Sequence, residues 1–377
     1  MDRRTFVSTS VCAIAATAVE ARAAAQTSAR KTTVSIVGQA FHINGQPTYR
    51  GRVWQGKKIE GLLLNSRMVQ GIFDDENPET RGLWAYPDGP YDAERNTREF
   101  IAAMPEWRRK GLLSFVINLQ GGSPYGYGNS RAWINSAFDF QTGALKPAYM
   151  SRLERILDAA DALGMVPIVG FFYFGQSPRF ASEQAVVAAT DAATDWLLAK
   201  RYANVLIEIA NESNIGQHPP ILKPERAHEL IARVKQRSQG KVASPAGHLL
   251  TSTSYGGNRI PDEEVAKVSD YLLLHGNGVA EPTRIAEMVT QTRALTNYRN
   301  QPIVFNEDDH YDFDKPINNF TAAVGAYASW GYFDFRPRGE GPAASYDEGY
   351  QSVPVNWGIS SARKRAFFDK VAEITGS

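Results

Sequence analysis

The chain has 377 residues, of which 43% are hydrophobic, and its formal net charge is +1. This size and composition are enough to bury a full hydrophobic core, as one large domain or two. A charge this close to zero argues against nucleic acid or an anionic membrane surface as the main partner.

The first 25 residues predict a secretory leader that is not part of the fold. The pair Arg3 and Arg4 precedes a short apolar run from Val11 to Val19, and small residues follow. Paired arginines are typical of twin-arginine export, and the apolar run is too short to span a bilayer. We therefore expect a periplasmic or secreted protein without a membrane anchor.

The residue types available for metal or thiol chemistry are few. The single cysteine, Cys12, lies in the leader, so the mature chain offers no disulfide, thiolate metal site or cysteine nucleophile. The six histidines show no pairing at the spacings typical of metal sites. The sequence therefore predicts no metal and no cofactor.

Residues 26–60 predict a small cap made of a β-hairpin and a lead-in. Apolar residues alternate around Val34 and Phe41, and an Asn44–Gly45 turn signal follows. The remainder, residues 61–377, is interpreted as the main domain.

Beyond this cap, short apolar runs alternate with amphipathic helical segments. The eight runs span residues 66–73, 112–118, 167–173, 205–210, 249–254, 271–275, 302–306 and 331–335. Alternating strands and helices imply parallel βαβ units, and eight of them predict a closed α/β barrel of the (β/α)8, or TIM, type. No Gly-x-Gly-x-x-Gly follows the first run, which disfavours a dinucleotide-binding fold.

Functional groups in such barrels come from the carboxyl ends of the strands. The eight predicted ends carry Asp74 and Asp75, Asn118, Tyr173, Asn211 and Glu212, Ser254 and Tyr255, His275, Glu307, and Arg336. All but Tyr173 are polar residues that follow an apolar run.

Glu212 and Glu307 form the most informative pair among these ends. Their separation of 307 − 212 = 95 residues spans three βα units, or about 32 residues per unit, close to the roughly 31 of a ~250-residue barrel. Both carboxylates should then face one pocket at the barrel mouth. Facing carboxylates carry out glycoside hydrolysis, with one acting as an acid and the other as a nucleophile or base.

Ile207-Glu-Ile-Ala-Asn-Glu212 and Pro302-Ile-Val-Phe-Asn-Glu307 resemble the strand-four and strand-seven motifs of the clan A glycoside hydrolases, the cellulase-like superfamily. The resemblance extends from about Ser66 to the C-terminus and assigns no family within the clan. It implies retention of configuration, with Glu212 as acid/base and Glu307 as nucleophile. It also implies that Asn211 bonds the sugar 2-hydroxyl.

The sequence departs from the clan pattern after the sixth strand. Many members carry His-x-Tyr there, whereas this chain has His275-Gly276-Asn277. We expect Tyr173 or Tyr255 to replace the missing tyrosine beside Glu307. His275 is interpreted either as a support for a carboxylate or as an ordinary hydrogen-bonded barrel histidine.

A second departure lies at the end of the second strand, where the usual arginine is missing. Asn118 and Arg52 are the candidates for its place. Glu208 shares strand parity with Glu212 and is interpreted as a structural residue deeper in the barrel. Asp74 is a candidate for binding sugar hydroxyls.

Aromatic residues in the long loops are candidates for stacking on sugar rings. They are Trp84, Tyr86, Tyr91, Tyr125, Tyr127, Trp133, Tyr346, Tyr350 and Trp357. Trp330, just before the eighth strand, is predicted to lie under the reactive sugar.

The predicted function is that of a secreted retaining glycoside hydrolase acting on a poly- or oligosaccharide. Two alternatives stay open at this point. The first is a non-catalytic carbohydrate-binding barrel, and the second, favoured less because of the histidine spacing, is a metal-dependent barrel hydrolase.

Overall fold

The computed structural model describes residues 30–122, 124, 132–336 and 345–377. The predicted leader, together with Tyr125 and Tyr127, lies outside these residues.

A three-stranded antiparallel sheet begins the described chain. Its strands are β1 (Val34–Val37), β2 (Ala40–Ile43) and β3 (Gln46–Pro47). Asn44 and Gly45 join β2 to β3 with φ angles of 51° and 76°, the left-handed conformation that a tight two-residue hairpin requires. A two-stranded ribbon follows, made of β4 (Val53–Trp54) and β5 (Lys57–Lys58).

Eight further strands run parallel to their neighbours. They are β6 (Asn65–Ser66), β7 (Ser114–Asn118), β8 (Val166–Tyr173), β9 (Leu206–Asn211), β10 (Leu250–Ser252), β11 (Leu272–His275), β12 (Ile303–Glu307) and β13 (Gly331–Tyr332). Strands β7 to β10 form one sheet in chain order, while β11 pairs with β12 and β13 pairs with β6. Single bridges from Arg67 to Val116 and from Asp308 to Tyr332 connect these groups. The predicted parallel α/β architecture is confirmed, although the described strands β10 and β11 share no ladder, so the ring of hydrogen bonds is not closed there.

Helices lie between the parallel strands and after the last of them. They are α1 (Pro78–Arg81), α2 (Ala93–Arg109), α3 (Pro147–Leu163), α4 (Glu183–Ala199), α5 (Pro224–Ser238), α6 (Glu263–Val268), α7 (Pro282–Arg293), α8 (Asn319–Gly325) and α9 (Ala362–Thr375). Polar side chains fix several starts; the Asp92 carboxylate, for example, accepts hydrogen bonds from two backbone N–H groups in the first turn of α2. Among the described residues, the helices are all too short or too polar to cross a bilayer.

The inner faces of the strands begin with an apolar layer. Its members are Leu63, Val116, Ile168, Leu206, Leu250, Leu273 and Val304. Val34 and Phe41 of the N-terminal sheet belong to the same buried cluster, so that sheet packs against the amino-terminal end of the strands. The carboxyl-terminal end of the strands, which this sheet does not cover, is therefore the end available for functional groups.

The first predicted strand, at residues 66–73, is wrong in its extent. Only residues 65 and 66 pair as β6, and the chain then turns. Side chains of α2 take the carbonyl groups that a longer strand would use, since Asn96 donates to the carbonyl of Gln70 and Thr97 to that of Gly71. Asp74 and Asp75 therefore do not end a strand.

Candidate active site

Glu212 lies immediately after β9, at the carboxyl end of the strands. Its φ angle of 52° is left-handed, which costs a residue with a side chain conformational energy. The Glu212 N–H donates to Ser254 Oγ over 3.0 Å, and the Ser213 N–H donates to the Ser254 carbonyl over 2.9 Å. The loop after β10 thus holds Glu212 in this conformation, with its side chain buried.

Glu307 is the last residue of β12, and hydrogen-bond donors surround its carboxylate. Arg67 Nε lies 2.8 Å from Oε2, and Asn277 Nδ2 lies 2.7 Å from Oε1. Asn211 Nδ2 donates more weakly to Oε2, over 3.4 Å. Donors to both oxygens fix the orientation of the carboxylate and stabilise its charge.

His275 connects the two glutamates. The pairing of β11 with β12 shifts at this residue, which places His275 opposite Glu307. Its Nδ1 lies 3.0 Å from Glu212 Oε1 and 3.6 Å from Glu307 Oε2. Both neighbours are carboxylate oxygens, so Nδ1 carries a proton and donates it toward Glu212. One ligand atom of each residue lies within 4.8 Å of the other two, so the structure brings the predicted pair together.

The charges of this cluster shift two pKa values. Burial raises the pKa of Glu307 above its ordinary value and the charge of Glu212 adds to this, while Arg67 and His275 oppose it. Burial alone would lower the pKa of His275, but the charge of Glu307 and the hydrogen bond to Glu212 outweigh it and raise the pKa.

Arg67 is a residue that the sequence interpretation missed. It follows β6, is 2% exposed, and supplies the arginine beside Glu307. Arg52 instead donates to the carbonyls of Glu373 and Ile374 at the end of α9, and the Asn118 side chain lies against Gly170 of the neighbouring strand. The signal was the alternation of Leu63, Asn65 and Arg67, which puts a charge on the inner face of a buried strand.

Asn277, and neither predicted tyrosine, donates to Glu307 Oε1. The ring of Tyr173 packs on Phe174 with centroids 4.3 Å apart. The buried hydroxyl of Tyr255 has no hydrogen-bond partner among the described residues. Asn277 occupies the position at which many clan members carry tyrosine, so the spacing was informative although the residue type differed.

A buried serine–histidine pair contacts the backbone of Asn211. His218 Nε2 donates to the Asn211 carbonyl over 3.1 Å, because a carbonyl can only accept. His218 Nδ1 must then accept the hydrogen bond from Ser177 Oγ, 2.8 Å away. Burial lowers the pKa of His218 to about 4, so this histidine stays neutral and acts as a structural support.

The prediction that Trp330 lies under the reactive sugar is wrong. Its indole is 0% exposed, stacks on Phe320 with centroids 4.7 Å apart, and donates to Asp308 Oδ2 over 2.9 Å. Asp308 also accepts hydrogen bonds from His310 and Asn319. Trp330 immediately precedes β13 and packs among the buried aromatic side chains Phe313, Phe320 and Phe367.

Two further predicted binding residues also serve the fold. Trp84 is fully buried and donates to Asp75 Oδ2 over 2.7 Å. Asp74 lies 3.7 Å from a guanidinium nitrogen of Arg152 and 3.8 Å from one of Arg81. Trp84 ends a short 3-10 helix (Gly82–Trp84) that follows α1, and Asp74 lies in the loop after β6, a strand that ends earlier than predicted.

Most of the other loop aromatics pack in the same way. Trp133, Tyr350 and Trp357 are buried, and Tyr86 stacks on Tyr91. Large aromatic side chains bury much apolar area, so their presence in loops is a weak indicator of sugar binding.

The fold is similar to that of solved glycoside hydrolases. A glycoside hydrolase family 5 mannosidase from Rhizomucor miehei is 14% identical, with a TM-score of 0.50 over 92% of this chain and 98% of that chain. A structure described as a glycoside hydrolase is 11% identical, with a TM-score of 0.52 over 89% of this chain and 73% of that chain. No protein-family model and no curated protein matches the sequence.

The chain shares the fold of clan A enzymes. The resemblance predicted from the two glutamate motifs is confirmed at the level of the fold.

Among the described residues, two groups of side chains have the composition of metal ligands. One is Glu212, His275 and Glu307, and the other is Asp308, Asp309 and His310. In the first group Arg67 and Asn277 already hold the two oxygens of Glu307. A cation there would compete with a buried guanidinium, so the geometry favours proton and covalent chemistry.

Replacing Trp330 by alanine should mainly destabilise the fold. Removing a fully buried tryptophan leaves a cavity and removes one of the hydrogen bonds to Asp308, at a cost of about 3–5 kcal/mol in the free energy of unfolding. Urea denaturation measures this cost. Trp330→Phe keeps a stacked ring and should lose less. A large rise in KM with little loss of stability would contradict the assignment to the core.

Changing Asn277 should move the acidic limb of the pH–activity profile. A Glu307 that must be ionised loses activity as pH falls through its pKa, and the Asn277 hydrogen bond lowers that pKa. Asn277→Ala should therefore shift the limb to higher pH. Asn277→Asp should shift it further, because it adds a negative charge. The profile of kcat/KM tests this order, and an unchanged limb in both variants would contradict it.

Proposed function

We propose that this chain is a retaining glycoside hydrolase, with Glu307 as nucleophile and Glu212 as acid/base. The observation that carries the proposal is the clustering of Glu212, His275 and Glu307 within 4.8 Å at the carboxyl ends of the strands. Retaining glycosidases hold their carboxyl groups about 5–5.5 Å apart, whereas inverting enzymes need about 6.5–9.5 Å to admit a water.

The environments of the two glutamates support different roles. The Glu307 carboxylate accepts hydrogen bonds from one guanidinium and two side-chain amides, which stabilise its negative charge and fix its orientation. The His275 imidazole contacts Glu212 over 3.0 Å and supplies the one side-chain hydrogen bond found there among the described residues. A fixed anion suits attack on carbon, and a carboxyl with fewer donors suits exchange of a proton.

In the first step, Glu307 attacks the anomeric carbon while Glu212 protonates the departing glycosidic oxygen. A glycosyl ester on Glu307 forms, and the aglycone leaves as an alcohol. In the second step, Glu212 removes a proton from water, which attacks the same carbon and releases Glu307. Two inversions give net retention. We infer that Asn211, whose Nδ2 lies 3.4 Å from Glu307 Oε2, bonds the sugar 2-hydroxyl.

We infer that the eight parallel strands act as a closed barrel, with the N-terminal sheet as a cap at its lower end. We also infer that the twin-arginine motif directs the folded protein to the periplasm or beyond. The similarity to a mannosidase makes manno-configured substrates the first to test, alongside gluco-configured ones.

The deciding experiment follows the anomer released first. Proton NMR of the mature protein acting on a panel of aryl glycosides and oligosaccharides should show a product with the configuration of the substrate. An inverted first product would reject the double displacement. Binding with no product from any substrate would favour the carbohydrate-binding alternative. Full activity in the presence of a chelator is expected, while its loss would favour a metal hydrolase.

A further inference from the structure

The layer of side chains directly below the candidate active site is unusually polar. Two positions beyond the inner apolar residues Leu63, Val116, Leu206, Leu250 and Val304, each strand carries another inward-facing residue. These residues are Asn65, Asn118, Glu208, Ser252 and Asn306, all of them buried. We call this set the polar belt. Interior layers of such barrels are usually filled by branched apolar side chains.

The polar belt is continuous across the strands. Asn118, Gly170, Glu208 and Ser252 lie side by side in register on β7 to β10. Asn306 Nδ2 crosses the interior to donate to Glu208 Oε2 over 3.3 Å. Glycines leave room within the belt, since the Asn118 amide fills the space a side chain at Gly170 would occupy.

The second half of the belt repeats this arrangement. A side chain at Gly331 would collide with the Asn65 amide, whose Oδ1 lies 2.1 Å from the position of a Cβ. Gly331 pairs with Asn65 on the neighbouring strand. Small residues beside long amides bring polar atoms into the barrel without filling its volume.

Several atoms of the belt have no hydrogen-bond partner among the described residues. They are Asn65 Oδ1, Asn118 Oδ1 and Nδ2, Glu208 Oε1, and Asn306 Oδ1. Glu208 also forms no ion pair with a described residue. Arg67 lies two residues beyond Asn65 on the same face, and its Nη1 also has no hydrogen-bond partner among the described residues. Unsatisfied buried polar atoms cost about 1–3 kcal/mol each, so such a concentration is unstable unless something polar binds there.

We propose that the polar belt is a hydrated site, in which ordered water molecules bond Glu208 and the three asparagines and reach Arg67. Water both donates and accepts, as this mixture of atoms requires, and buried water usually makes two to four hydrogen bonds. A metal cation would satisfy the oxygens but would oppose the Arg67 guanidinium. The inference concerns the interior and does not depend on the reaction at the rim.

A crystal structure of the mature protein that resolves ordered solvent tests the proposal directly. Density should appear within hydrogen-bond distance, about 2.7–3.2 Å, of Glu208 Oε1 and at least one asparagine oxygen. Crystals soaked in rubidium chloride should show no anomalous peak in the belt. A rubidium peak would show that the belt binds a cation instead of water, and this would overturn the proposal. A dry interior with direct contacts among the belt residues would also overturn it.

Two variants of Glu208 give an independent measurement. Glu208→Gln keeps an oxygen and the shape of the side chain, so the melting temperature should stay within about 2 °C of the original. Glu208→Leu removes the anchor for water and the acceptor for Asn306, and should lower it by about 3–6 °C. A leucine variant as stable as the glutamine variant would indicate a dry interior and overturn the proposal. Neither readout requires glycosidase activity.

Discussion

Glu307→Ala should reduce kcat/KM about 10⁴-fold or more on every active substrate. Without the carboxylate, no atom is placed to form the glycosyl ester, and Arg67 loses its partner. A fluorinated slow substrate should label the original protein on the peptide that contains Glu307 and leave the variant unlabelled, as mass spectrometry would show. Azide should restore turnover of an activated substrate and give a glycosyl azide of inverted configuration, because it attacks from the side that Glu307 vacates.

Stability must be separated from chemistry in this test. Removing Glu307 leaves Arg67 buried and unpaired, which costs about 3–5 kcal/mol. Glu307→Gln keeps the volume and should fold better while remaining inactive. Glu287→Gln removes an exposed carboxylate of α7 and should change nothing. Labelling of a different residue, or activity retained by both Glu307 variants, would reject Glu307 as the nucleophile.

Glu212→Ala should affect substrates unequally. General acid catalysis contributes about 10²–10⁴-fold, so cleavage of poor leaving groups such as sugars should fall by that factor. A dinitrophenyl leaving group needs no proton, so its first step should be almost unchanged and its second step should become slow. Stopped-flow release of the phenol should then show a burst.

The azide product again distinguishes the two roles. In Glu212→Ala, azide should attack the ester on Glu307 and give a glycosyl azide of retained configuration. A glycosyl azide of inverted configuration from this variant would make Glu212 the nucleophile and Glu307 the acid/base. Equal losses for all leaving groups would remove Glu212 from the proton transfer.

The sequence was informative where periodicity and turn residues act locally. Apolar runs between amphipathic helices predicted the parallel α/β architecture, and the spacing of Glu212 and Glu307 placed them at one end. The first strand was overestimated because residues 67–73 are as apolar as a strand. Side chains of α2, distant in the sequence, hydrogen-bond the carbonyls of Gln70 and Gly71 and bend this segment away.

The partners of the glutamates were harder to predict than the glutamates themselves. Arg67 and Glu307 are 240 residues apart in the chain, and they meet because β13, the strand after β12, pairs with β6. Trp330 and Trp84 were misjudged because a buried indole and a sugar-stacking indole look alike in a sequence. Their orientation depends on strand parity and on acceptors such as Asp308 and Asp75.

The left-handed backbone at Glu212 makes glutamate an unexpected residue at this position. Glycine or asparagine would adopt φ = 52° at lower energy, and neither would add a second negative charge beside Glu307. For folding alone, glutamate is thus among the less suitable residues at this position. The proposed acid/base role of Glu212 accounts for a glutamate at a position where the fold alone would favour another residue.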